Sequence, residues 1–122
     1  MKPLRVLGVL GAIAGLVLST VPTLVSDPGP AADSHEAIER RVWWGALTGF
    51  GVLLATLRSV RPWSIAFASF VFWIVAGFLA ARVIGLVLDG TDSSKQWMWT
   101  AIEVGICCVA AIYLRRRGAS SR

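Results

Sequence analysis

The sequence predicts an all-α membrane protein: four transmembrane spans forming one helical bundle, with both termini on the cytoplasmic side. Two observations lead there. Hydrophobic residues make up 56% of the 122 residues and charged residues only 16%, a balance shifted away from soluble domains toward membrane ones. The apolar residues gather into four runs of about 17 residues or more, apolar nearly all round instead of on one face. The spans are expected at about 4–25, 42–58, 63–88 and 97–114, within a single domain that ends in a polar tail at 115–122.

The first run follows a short basic start, Lys2 and Arg5. A cleaved secretory signal is one reading, with small residues at Gly29 and Ala31 as a weak cleavage site. The apolar stretch Val6 to Val25 is longer than a usual signal core, so a retained span is the expectation. The loop that follows contains Pro28, Gly29 and Pro30, which prevent regular structure. Asp33 with Glu36 reads as a capping box for a helix starting near Ser34. His35, the one histidine, sits among loop acids and is expected to be exposed.

Span two carries Glu39, Arg40 and Arg41 at its entry, Trp43 and Trp44 at interface level, and a Gly45–Gly49 pair that suits close helix contact. In span three, Gly77, Ala81 and Gly85 repeat at four-residue spacing. Ala101 and Gly105 continue that spacing for one step in span four, until the bulkier Val109 ends it. These seven small residues are the expected helix-packing positions. Arg115, Arg116 and Arg117 are expected to stop the last span, and the tail from Gly118 to lack order.

Charge fixes the orientation. The N-terminal segment, the Arg58/Arg61 turn and the C-terminal tail hold eight cations and no acid, whereas the other two loops hold six of the seven acids with Arg40, Arg41 and Lys95. Cations accumulate on the cytoplasmic side of membrane proteins. The net charge of +5 therefore reflects topology and not nucleic-acid binding, since no soluble basic face exists.

Two charges interrupt the apolar runs: Arg82 in span three and Glu103 in span four. In an antiparallel hairpin each lies about six residues from the interface, roughly 9 Å deep at ~1.5 Å per residue. One reading is a pair that fixes helix register and does nothing more. The other is an outward-facing polar pocket for an ion, lipid headgroup or small solute, with Glu39, Arg40 or Asp89 as neighbours. Exchanging the two charges is expected to be tolerated by a register pair and not by a binding site. Adjacent Cys107 and Cys108 have neither disulfide geometry nor metal-site spacing and read as apolar fillers.

The pattern Glu36-x-x-x-Arg40 before Gly45 and Gly49, then Arg82, Gly85, Asp89 and Gly90, then a mid-span Glu103, resembles an uncharacterised family of small bacterial four-helix membrane proteins, DoxX-like in architecture. The resemblance implies a four-helix bundle in the bacterial cytoplasmic (inner) membrane and carries no activity. No nucleophile–base pair, metal cluster or phosphate loop stands in the sequence, so neither catalysis, a metal nor a cofactor is expected. The leading expectation is a non-catalytic accessory or scaffold subunit that acts through helix–helix contacts, partnered by the bilayer and by other membrane subunits or copies of itself. The alternative is a small transporter or ligand-binding bundle that uses the Arg82/Glu103 pocket.

Overall fold

The computed structural model describes residues 2–24, 29, 34–57, 63–91 and 94–120. Four helices follow in order: α1 Lys2–Thr20, α2 Ser34–Thr56, α3 Trp63–Asp89 and α4 Ser94–Ser120, with a single 3-10 turn at Pro22–Leu24 after α1. No strand occurs among the described residues. Helices α1, α3 and α4 are long and apolar enough to cross a membrane.

Helix boundaries depart from the apolar runs at both ends of the chain. α1 stops at Thr20, short of the run's end, because Pro22 has no N–H to continue the ladder; Val25 lies outside the described residues. α4 continues through Arg115–Arg117 to Ser120, which corrects the expectation of an unstructured tail there. Arginine ends a stay in hydrocarbon, but it is a good helix former and has no reason to end a helix. Asp33, half of the expected capping box, is outside the described residues. α3 ends where Gly90 takes a φ of 116°, a conformation that favours glycine.

α2 is the one of the four that is not long and apolar enough by itself to count among the candidate spans. Its uncharged stretch Val42–Thr56 covers 15 residues, about 22 Å of helix against a hydrocarbon core of about 30 Å. It is also the most enclosed by its neighbours. α1 packs along one side and α3 along the other, while α3 in turn meets α4 less closely. Among the described residues α1 touches α3 lightly and does not reach α4. The helices therefore stand in an open row in chain order, with α1 and α4 as its outer members.

Glycine explains this gradation. At α2–α3, a Cβ on Gly45 would fall on the carbonyl of Gly77 and the side chain of Ala81, one on Gly49 on the carbonyl of Trp73, and one on Gly77 on the carbonyl of Gly45. Gly85 sits under Ile38, whose Cγ1 would be 2.9 Å from an added Cβ. The α1–α2 contact is built the same way, from Gly8 and Ala12 against Gly51 and from Gly15 against Thr48. Small residues allow backbones to approach and gain dispersion where lipid offers no hydrophobic drive for association.

The remaining two packing candidates behave differently. Ala101 is exposed, and a Cβ on Gly105 would meet nothing within 4 Å. Both border an open apolar groove of about 700 Å³ between α3 and α4. Within this chain neither residue packs against another helix, so the contact that their spacing predicts is left to another chain. Gly105→Ala is accordingly expected to leave thermal unfolding unchanged or to stabilise by up to about 1 kcal/mol through helix propensity. A clear loss in unfolding temperature would show that Gly105 meets a neighbour after all.

The interior is small and partly polar. Ile38, Val42 and Leu86 form its apolar cluster, with Phe78 packed against it. Buried alongside are Ser19, Thr48, Arg82, Gln96 and Glu103. The large apolar side chains point outward instead, among them Val87, Trp63, Trp43 and Val109. Such a distribution suits a chain whose solvent is hydrocarbon.

Candidate functional site: a polar cluster under an aromatic-walled cavity

Three helices converge on Arg82. On α2, His35 and Glu39 are four residues apart and so share a face. On α3, Phe78 and Arg82 do the same. On α4, Gln96, Glu103, Cys107 and Ala110 follow the seven- and four-residue steps of one helical stripe, the one turned toward α3. The Gly85–Ile38 contact one turn along α3 brings α2 close enough for Glu39 to reach Arg82.

The Arg82 side chain is only 5% exposed. Its Nε donates to Glu103 Oε1 at 2.6 Å and its Nη1 to Glu39 Oε1 at 3.1 Å. Nη1 also donates to Gln96 Oε1. That last bond fixes the Gln96 amide, because only its oxygen can accept from a guanidinium. The amide nitrogen must then face the other way, where it donates to Glu39 Oε1 at 3.0 Å and lies 2.7 Å from His35 Nδ1. An NH2 group can only donate, so His35 Nδ1 accepts and the ring proton sits on Nε2. Five side chains from three helices thus form one connected network.

Its members are unequally buried. Gln96 is fully enclosed, the Glu103 side chain is 7% exposed, and that of Glu39 is 34% exposed. Burying the Arg82–Glu103 pair forfeits hydration on both sides, which Coulomb attraction offsets only when the remaining hydrogen-bonding positions are filled. Here they are not all filled. Glu103 Oε2 is buried with no hydrogen-bond partner.

Above the network lies a cavity of about 510 Å³. α3 forms its floor, and α2 and α4, which barely meet each other, form its walls. His35, Glu39, Arg82 and Glu103 supply a polar end; Trp43, Phe78 and Trp99 supply aromatic walls, with Ile102 and Ile106 beside them. Trp43 and Phe78 stack edge to face at 6.4 Å. Ser19 Oγ and Thr48 Oγ1 are also buried without a partner, but neither lines this cavity.

The residues expected near the Arg82–Glu103 pair sort into two groups. Glu39 belongs to the network. Arg40 does not: it pairs with Glu36 at 2.8 Å and donates to the Gly29 carbonyl at 2.6 Å. Asp89 does not either, being held by Arg41 through Nε at 2.6 Å and Nη2 at 3.2 Å. Arg41 also donates to the carbonyls of Ser19, at 3.0 Å, and Thr20, so it caps the carbonyl end of α1 and the acidic end of α3 together. This second cluster ties three helices.

Two members were not singled out from sequence. His35 was expected to be exposed but is half-buried and hydrogen-bonded; Gln96 drew no attention in a polar turn. The signal was present in spacing, since His35 lies four residues before Glu39 and Gln96 seven before Glu103. Cys107 Sγ lies 3.9 Å from the Phe72 carbonyl, a weak contact between α4 and α3, and Cys108 is exposed. No group of three or more His, Cys, Asp or Glu that could hold a metal occurs among the described residues. Compared with protein-family models, with curated proteins and with solved structures, the chain gives no match.

Proposed function

We propose that this chain is a ligand-binding or transport protein of the bacterial cytoplasmic membrane, four spans with both termini in the cytoplasm, and that its site is the cavity over Arg82 and Glu103. One observation supports the reading: four charged or polar side chains from three helices, His35, Glu39, Arg82 and Glu103, line a cavity of about 510 Å³ together with Trp43, Phe78 and Trp99. The acidic loops lie at the same end of the helices as the cluster, so the cavity faces away from the cytoplasm under the charge-asymmetry rule. α2 is the fourth span, its short apolar stretch sheltered between α1 and α3.

The accessory-subunit reading loses its main support, since Gly45, Gly49, Gly77, Ala81 and Gly85 contact other helices of the same chain. What still favours it is the exposed apolar surface of α4, including Ile102, Ile106, Val109 and Ile112. Native mass spectrometry of the protein extracted from its own membrane in mild detergent separates the two. The binding reading expects a reproducible small adduct, absent from Ile106→Trp, which fills the cavity. A stoichiometric larger protein partner with no adduct would instead make the chain an accessory subunit.

A further inference from the structure

The cavity's charge and walls specify what it would hold. In the network, Arg82 supplies one positive charge, and Glu39 and Glu103 supply two negative ones. Gln96 is neutral, and His35 accepts through Nδ1 as a neutral ring. The polar end thus carries one negative charge in excess. An anion could meet only Arg82 Nη2, since Nε and Nη1 already donate to Glu103, Glu39 and Gln96, and it would do so beside two carboxylates. The carboxylate a ligand reaches most easily is that of Glu39, 34% exposed, and a carboxylate calls for a donor or a positive charge.

The walls point the same way. Aromatic faces attract cations through their quadrupole, most strongly where water is excluded. Trp43, Phe78 and Trp99 stand around the polar end, and Ile102 and Ile106 provide an apolar surface for the remainder of a ligand. We propose that the cavity takes an organic cation with an apolar body, its positive end at the Glu39 and Glu103 carboxylates and its body against Trp43, Phe78 and Trp99. This rests on the ligand-binding reading of the cavity. The cation is either a free amine or quaternary compound, or the ammonium head of a phospholipid.

Scintillation proximity binding of tritiated tetraphenylphosphonium to the full chain in phosphatidylglycerol nanodiscs tests it. Saturable binding is expected, displaced by benzyltrimethylammonium and not by benzyl alcohol or benzenesulfonate, compounds of similar body and different charge. Glu103→Gln keeps an oxygen for Arg82 to bond and is expected to weaken binding by about tenfold or more. Trp99→Ala, outside the hydrogen-bonded network, is expected to weaken it several-fold without touching the charges. Adding phosphatidylethanolamine identifies the source: competition makes the natural cation a lipid head, and its absence makes it a free compound. Both results keep the cation.

Equal displacement by the neutral or anionic competitor, or wild-type affinity in both Glu103→Gln and Trp99→Ala, overturns the cation assignment and leaves a ligand cavity of another specificity. If no probe of any charge binds saturably and no adduct accompanies the native protein, the binding reading falls with it.

Discussion

Replacing Arg82 with alanine is expected to cost about 3–5 kcal/mol of stability, the scale for breaking a buried ion pair from one side. Glu103, buried, would lose its one partner, and Gln96 and Glu39 would each lose a donor. Thermal unfolding in mild detergent measures it. The double variant Arg82→Met with Glu103→Leu is expected to recover most of the loss, because removing both charges leaves neither one stranded. Exchanging the charges is not expected to help, and here the simple pair anticipated from sequence was misleading. A glutamate at position 82 would face Glu39 as well as the new arginine, so the exchange trades one attraction for a repulsion. A full rescue by Arg82→Glu with Glu103→Arg would mean that Glu39 is not part of the network.

Gly77→Ala is the second large effect expected. The added Cβ would fall on the Gly45 carbonyl and press on Gly49, backbone atoms that cannot rotate away. α2 and α3 would have to separate along their whole contact, at a cost of about 1–3 kcal/mol or more. Gly49→Ala meets the Trp73 carbonyl in the same way and should behave alike. Because the α2–α3 contact also sets the reach of Glu39 to Arg82, ligand binding is expected to weaken in these variants along with stability. Wild-type unfolding temperatures for both would contradict the backbone contact. Gly105→Ala, with the same chemistry and no neighbour, is the internal control.

These contrasts mark what was legible in the sequence. The helices were, since runs apolar all round have one solution in a bilayer. So were Gly45, Gly49, Gly77 and Gly85, and the facing depths of Arg82 and Glu103. Ala101 and Gly105 meet no helix of this chain, because spacing of small residues states what can approach a helix and not which neighbour does. The tail from Gly118 was misread because the end of an apolar run, at Arg115–Arg117, is a statement about lipid, whereas the end of a helix is one about backbone. His35 and Gln96 were overlooked for a third reason. Polar residues near helix starts usually face water, and only the three-helix convergence on Arg82 turns these two inward.

The cluster places an ion pair in the interior, where charge is costly to bury. Were its task stability, apolar side chains of similar volume would serve as well or better. The cavity that its charged side chains line is the reason to assign it a ligand.

The measurement that tests this most directly compares native mass spectra and thermal unfolding of the wild type with those of Glu103→Gln, each taken from the same membrane. A neutral amide still accepts from Arg82 Nε but no longer offers a carboxylate to a bound group. The account predicts a folded Glu103→Gln protein that has lost the adduct carried by the wild type. An adduct of the same mass and occupancy on both proteins would contradict it.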